Sequence, residues 1–249
     1  MLKGARVAVV VPAFNEARWI HDTIASIPEL VDHILVVDDA SVDDTVSIAQ
    51  NVNDGRVTVI QHPRNRGVGA AIVTGYRSAL NLGADVTAVL AGDGQMDPED
   101  LAAVLDPAIR RDADYVKGNR LAHPDVLRRM PRLRRLATMF LAWLTRHAAG
   151  LEALSDSQCG YTAISADALR AIDINDVWPR YGYPNDLLGA IALAGLRIHE
   201  VPVRPIYRDE ASGIRPWHLT GILFIIARIA CRRAARRRAP AGIIDCRTR

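Results

Sequence analysis

RVAVVVPAFNEARWI, Arg6 to Ile20, is the stretch from which the rest of the chain is read. Its first six residues form a continuous β-branched run closed by Pro12. That is the pattern of a strand buried on both faces of a parallel sheet, because a half-exposed strand would alternate apolar and polar residues. The polar loop AFNEA then leads into a helix over about Ala17 to Ser26, with Ile20, Ile24 and Ile27 at near-helical spacing. A second strand, ILVV from Ile34 to Val37, runs out onto Asp38 and Asp39. The unit is strand, helix, strand, and it continues with a helix at Asp43 to Gln50, a strand at Val57 to Gln61, a helix at Gly69 to Leu82 behind the turn RNRGVG, and a strand at Val86 to Leu90. Such alternation predicts an α/β fold with a mostly parallel sheet flanked by helices, and it gathers ligands beyond the carboxyl ends of the strands.

Past about residue 120 the pattern shifts to long helical stretches around Pro131 to Gly150 and Trp217 to Arg238. Between them lie a short strand at Tyr161 to Ile164, a helix after Pro184 and a last strand near Ile198 to Val203. Composition changes near Pro216, which divides the chain into a domain of residues 1–216 and an apolar helix with an arginine-rich tail, residues 217–249. HLTGILFIIARIAC, residues 218–231, is too short to cross about 30 Å of hydrocarbon as a simple helix. Followed by RRAARRR, it reads as a C-terminal amphipathic, interfacial helix on a membrane, the alternative being a helix that pairs two chains as a homodimer. Leu127 to His147, with six arginines among leucines and aromatics, allows two readings, a helix on anionic lipid or a core helix with a basic outer face.

At 249 residues, 49% apolar and 24% charged, the chain is no disordered tail, collagen-like fibre or polytopic membrane protein. Its net charge of +3 hides an asymmetry: residues 1–216 carry −4 and residues 217–249 carry +7. A slightly acidic body argues against nucleic acid as partner, and the basic end fits an anionic membrane surface. Cys159, Cys231 and Cys246 form neither a CxxC nor an even disulfide framework, and the first residues lack a secretory pattern. These features point to a cytoplasmic protein, peripheral at the inner face of the plasma membrane.

Three polar clusters follow strands. VVPAFNE, Val10 to Glu16, puts an Asn-Glu pair where a nucleoside could be bound, although helix-capping loops use the same residues. In VVDDASVDDT, Val36 to Thr45, Asp38 and Asp39 repel each other unless ligand hydroxyls, amides or a cation satisfy them. Asp43 and Asp44 suit the first turn of a helix. In VLAGDGQMDPED, Val89 to Asp100, Asp93 and Gln95 are hard oxygen donors close enough to share a cation that also bridges a diphosphate, and Asp97 opens a helix. RNRGVG could cradle a phosphate or be an ordinary turn before a helix. No G-x-G-x-x-G follows the first strand, which disfavours a dinucleotide-dependent dehydrogenase.

In this order the clusters resemble family 2 of the nucleotide-sugar glycosyltransferases, of GT-A fold, and most of all the enzymes that glycosylate dolichyl or other polyprenyl phosphates. VVPAFNE is similar to their P-x-[FY]-N-E, VVDDAS to D-D-x-S, LAGDGQMDP to D-x-D-x-Q-x-x-P, and DSQCGY, Asp156 to Tyr161, to D-x-x-C-G-[FY]. The resemblance spans residue 5 to about residue 215. It departs at Ala91, which replaces the first aspartate of D-x-D and leaves Asp93 and Gln95 as the metal pair. The resemblance implies that Pro12, Phe14, Glu16 and Asp39 surround the nucleoside, and that Asp93 and Gln95 hold Mg²⁺ or Mn²⁺ against the diphosphate. Arg120 would be the sugar- or phosphate-side arginine, with Arg208 and Arg215 a basic clamp. Asp156 and Asp186 are the remaining candidate acids. Asp186 takes the place of the family's E-D motif and would be the base for a sugar hydroxyl, its other reading being a helix cap after Pro184. Cys159 reads as structural.

The implied reaction is inverting transfer of a hexose from a GDP-mannose or UDP-glucose type donor to a polyprenyl phosphate. Rivals are transfer to a hydroxyl of a glycan or small molecule, and a non-catalytic nucleotide-sugar binding module suggested by Ala91.

Overall fold

The computed structural model describes residues 2–207 and 216–238. A seven-stranded sheet forms its centre, in the order β3-β2-β1-β4-β6-β5-β7. Its strands are β1 (Val7–Ala13), β2 (His33–Asp38), β3 (Val57–Gln61), β4 (Val86–Val89), β5 (Tyr115–Asn119), β6 (Thr162–Ser165) and β7 (Ile198–Pro202). All neighbours run parallel except β6, which is antiparallel to both β4 and β5. The helices are α1 (Ile20–Ala25), α2 (Thr45–Gln50), α3 (Val68–Asn81), α4 (Leu101–Ile109), α5 (Val126–Arg129), α6 (Arg132–Ala149), α7 (Ala166–Ala171), α8 (Tyr183–Leu193) and α9 (Pro216–Arg238).

Every residue of β1 is buried, as its unbroken apolar run requires. Successive side chains feed opposite faces of the sheet. Val7, Val9 and Val11 join Ile20, Ile24, Leu101 and Leu105 on one side, while Ala8 and Val10 meet Ile72, Tyr76, Leu188 and Ile191 on the other. Helix α3 comes so close to β1 that a Cβ on Gly75 would lie 2.3 Å from Val10 Cγ1.

Strand β5 has no counterpart in the sequence-based reading, because the lysine, glycine and asparagine of YVKGN interrupt the apolar run that marks a buried strand. All five residues are nevertheless buried. Lys117 is tolerated there because its Nζ donates to the carbonyl of Cys159 at 2.5 Å. Helix α1 begins at Ile20, later than the expected Ala17; the residues before it form a turn in which the Ala17 amide donates to the carboxylate of Asp43 at 3.2 Å.

The C-terminal helix is present, but its apolar row is used inside the molecule. Ile222 and Ile226 pack with Leu141 of α6, and Ile225 and Ile229 sit against Trp178 and Ala192 beside α8. Gly189 of α8 makes room, since a Cβ there would lie 2.6 Å from Ile229. Among the described residues no helix is long and apolar enough to cross a membrane.

Candidate active site

The carboxyl ends of β1 and β2 deliver two loops that hold each other. The Asn15 amide donates to Ser41 Oγ at 2.8 Å, and Asn15 Oδ1 accepts from the Val42 amide at 2.9 Å. The Glu16 amide donates to Thr45 Oγ1 at 2.7 Å, and the Asp39 amide to the Ala13 carbonyl at 2.9 Å. Asn15 and Ala40 take positive φ values of 57° and 65°, a left-handed turn at each loop that only this lacing holds in place. The Asn15 side chain is therefore a structural tie, in contrast to the nucleoside contact allowed by its sequence position. Asp43 ties the same two loops together. Burial works to raise its pKa, but hydrogen bonds from Thr45 and the Ala17 amide outweigh that and hold it below the usual carboxylate range.

The two adjacent aspartates resolve their repulsion by pointing to different donors. Asp38 accepts from the Ser41 amide at 3.1 Å. Asp39 accepts from the amides of Arg66 at 2.9 Å and Gly67 at 2.6 Å, with His62 Nδ1 2.7 Å from its Oδ1. His62 Nε2 in turn lies 2.9 Å from Thr74 Oγ1 on α3. The RNRGVG turn thus gives these amides to Asp39, which replaces the phosphate-cradle reading. Gly67 has φ of 100° and could not carry a Cβ, which would come within 2.5 Å of the Pro179 carbonyl.

Above these loops opens a cavity of about 600 Å³. Pro12, Phe14, Glu16, Asp39 and Asp93, five of the expected site residues, line it together with Ala91. Its opposite wall is Trp178, Arg180, Tyr181 and, from α9, Gly221. A smaller space of about 80 Å³ adjoins, lined by Asp93, Gln95, Arg120, Tyr161 and Arg204 among others. Asp93 belongs to both. The Gln95 amide donates to Asp93 Oδ1 at 2.9 Å, so the turn that carries both side chains is closed by the carboxylate itself. Asp97 accepts from the Glu99 amide at 3.0 Å, the helix-opening role expected of it.

Arg120 and Asp156 form a paired fork, with Nε to Oδ2 at 2.7 Å and Nη2 to Oδ1 at 3.0 Å. Asp156 is fully buried and also accepts from the amides of Gln158 and Cys159 at 3.1 Å. Burial pushes its pKa up, yet the Arg120 guanidinium prevails and holds it below the usual range. Asp156, expected among the candidate acids, is placed as the counter-ion of Arg120, an ionised carboxylate with no proton to give and, with its pKa held low, a weak base. Burial lowers the pKa of Lys117 and raises that of Cys159, in keeping with a structural thiol.

Asp186 lines neither cavity. Buried at the start of α8, it accepts from the Trp178 amide at 2.9 Å and faces Arg228 at 3.4 Å and Arg232 at 3.9 Å on α9. It does not cap its own helix. Burial outweighs these partners and raises its pKa. Asp186 thus sits behind the wall that carries Trp178, with Oδ2 on the Trp178 amide and Oδ1 without a hydrogen-bond partner, while Asp176 makes the closer ion pairs that hold Arg228 and Arg232 of α9. Arg208 and Arg215 lie outside the described residues.

Four contributors were not singled out in the sequence, one of them Arg204, which lines the smaller space and pairs with Asp97. Arg134, one of many arginines on α6, stacks its guanidinium 4.3 Å above the Tyr207 ring, and both feel the charges of Arg120 and Asp156. Only its spacing one helical turn after Pro131 distinguishes it in the sequence. Glu200 accepts from the amides of Ser155 at 2.9 Å and Asp156 at 3.0 Å and holds the DSQCGY turn; a lone acid inside the strand IHEVP was the available signal. The Trp178 wall carries none.

Comparison with known proteins agrees with this geometry. The chain is 31% identical over 218 residues to a UDP-N-acetylglucosamine–dolichyl-phosphate N-acetylglucosaminyltransferase of Methanococcus voltae, covering 82% of this chain and 86% of that one. It is 33% identical over 209 residues to an undecaprenyl-phosphate mannosyltransferase of Micrococcus luteus, covering 82% and 85%. A crystal structure of glucosyl-3-phosphoglycerate synthase from Mycobacterium tuberculosis with Mn²⁺, UDP and glucosyl-3-phosphoglycerate superposes with a TM-score of 0.66 at 22% identity, covering 92% of this chain and 81% of that one, which shows the shared GT-A fold. The model of "Glycosyl transferase family 2" matches residues 8–172, more than half of the chain, and the protein belongs to that family of glycosyltransferases.

Proposed function

We propose that the protein moves a hexose, with inversion, from a nucleotide diphosphate sugar of the GDP-mannose or UDP-glucose type to a polyprenyl phosphate at the cytoplasmic face of the membrane. One observation carries the choice of acceptor. The smaller space beside Asp93 is lined by Arg120 and Arg204, whose carboxylate partners Asp156, Asp97 and Glu99 do not line it, and Asp93 is its sole acid among the described residues. Of the candidate bases, Asp156 is engaged by Arg120 and Asp186 lines neither cavity. A hydroxyl acceptor needs a base to take its proton, whereas a phosphate monoester, with a second pKa of about 6, arrives already ionised and is drawn by guanidinium groups. Both relatives named above act, by their names, on polyprenyl phosphates.

In this reading Pro12, Phe14, Glu16 and Asp39 enclose the nucleoside, and the diphosphate reaches Asp93. The donor set there is chemically suited to Mg²⁺ or Mn²⁺. Asp93 and Gln95 offer two hard oxygens, and among the described residues no group of three or more His, Cys, Asp or Glu forms a cage of its own. Such ions commonly take one or two protein ligands and complete their shell with waters and substrate phosphates. Bound there, the ion would supply charge neutralisation on the departing nucleoside diphosphate. The chain's own part is positional: Asp156 and Glu200 fix Arg120, whose guanidinium, with Arg134 and Arg204, holds the acceptor phosphate. An acceptor oxygen then bonds to the anomeric carbon as its bond to the diphosphate breaks on the opposite side.

Radiolabelled GDP-mannose and UDP-glucose, incubated with polyprenyl phosphate and divalent cation, should place label in an organic-extractable lipid. Label that remains wholly water-soluble would reject the lipid acceptor. Loss of transfer in Asp93→Ala, with the fold intact, would also exclude a non-catalytic binding module.

A further inference from the structure

Helix α6 is apolar on two opposite sides. Thr138, Leu141, Ala142, Thr145 and Ala149 point into the molecule and are buried. At 100° per residue, Leu133, Leu136, Phe140 and Trp143 form a stripe on the far side of the same helix. Leu133 is 81% exposed, Phe140 58% and Trp143 49%. A surface helix of a globular protein presents polar residues there, and an apolar outer face implies something to cover it. Helix α9 packs beside α6 through Leu141, Ile222 and Ile226, and it leaves Leu219 and Leu223, next to Ile222 and Ile226 around the helix, exposed.

We infer that this outer face of α6, with Leu219 and Leu223 of α9, is the surface by which the protein lies on an anionic lipid leaflet. Charge selects lipid over a second copy of the chain. Helix α6 carries no acidic residue, and its Arg132 and Arg135, beside the stripe, have no carboxylate partner among the described residues. Two such faces brought together would oppose like charges, whereas lipid phosphates meet the arginines while the leucines and aromatics enter the acyl boundary. The Trp143 ring lies 4.5 Å from that of His147, which gives the stripe an amphipathic aromatic pair suited to headgroup depth. The location of the face matters for the proposed acceptor. Arg134 points from α6 onto Tyr207, toward the Arg120 subsite, so one rigid helix has lipid contact on one side and the phosphate subsite on the other. Helix thickness, about 10 Å, then sets how far an acceptor phosphate is lifted from the acyl boundary.

The inference rests on the lipid-acceptor reading for its purpose, but its test does not pass through transfer. The full chain is floated with vesicles of phosphatidylcholine mixed with phosphatidylglycerol, and with vesicles of phosphatidylcholine alone. Wild type should float with the mixed vesicles, and the triple variant Leu136→Gln, Phe140→Gln, Trp143→Gln should partition roughly a hundredfold less. Arg132→Glu with Arg135→Glu should lose the preference for the mixed vesicles. All these side chains are outside the core, so UDP or GDP binding and Tm should match wild type and certify the fold. A wild type that stays unbound, or a triple variant that floats equally well, overturns the inference. So does a triple variant that floats like wild type but elutes at half the mass, because a second copy would then be what covers the face. If neither nucleotide binds wild type, the catalytic reading fails while the flotation result is judged on its own.

Discussion

Among the described residues Asp93 is the one carboxylate common to both cavities, and its replacement tests the site most directly. Asp93→Ala should cut transfer by about two to three orders of magnitude, as loss of a charge-stabilising group does, with little change in Tm. Asp156→Asn should behave differently. It leaves Arg120 buried without its counter-charge, a disruption of about 3–5 kcal/mol, and should lower Tm together with activity. The folded pKa of Asp156 is depressed, so its contribution to stability is complete above the unfolded value of about 3.9 and is lost as pH falls through the lower folded value. The asparagine variant should therefore show a flatter acid limb in a plot of Tm against pH. Asp186 has the opposite sign, since its raised pKa means that the folded state gives up stability as this group ionises with rising pH. Asp186→Asn keeps an acceptor for the Trp178 amide and should retain transfer within a few-fold, measured with saturating donor. Near-total loss with donor binding intact would restore the hydroxyl-acceptor rival. At this scale the motif residues at strand ends were legible, because paired carboxylates after apolar runs are costly without a purpose. The partners that decide their roles were not, because Arg120 to Asp156 and Asp186 to Arg228 are contacts across 36 and 42 residues.

Among the elements, α9 is the least expected part of the site. Gly221 faces the larger cavity from a helix interior, and a Cβ there would meet nothing within 4 Å. Alanine at this position should stabilise α9 by up to about 1 kcal/mol through helix propensity. Gly221→Leu should keep that stability but narrow the cavity, raising KM for the donor several-fold; unchanged donor kinetics would show that α9 is remote from the bound substrate. Periodicity revealed the long helices and the first four strands to within a few residues, since each is an unbroken apolar or helical run. It missed β5, whose lysine is acceptable only because a carbonyl from a distant turn receives it. It gave residues 218–231 as an interfacial helix or a pairing helix, and the sequence alone does not show that α6 and α8 cover its isoleucines.

For the molecule as a whole, the proposed chemistry has a pH signature. With no titrating base at the acceptor, transfer to a lipid phosphate should fall below about pH 6 as the acceptor gains its second proton, and should level off above it. A further alkaline rise in rate at saturating substrates would point to a base and to a hydroxyl acceptor. Fold class was legible from the strand and helix alternation alone, but the direction of β6 was not, since a four-residue run does not announce which way it points. That reversal has a practical outcome. A parallel strand sends its downstream loop to the crevice; β6 runs the other way, so its upstream turn, Asp156 to Tyr161, arrives there instead. The chain that follows it, from Ala166 through α7, emerges at the remote rim beside Asp85 and Asp114. A fluorophore or affinity handle attached at Asp167, exposed on this rim, would therefore report on the protein from the end of the sheet opposite the two cavities.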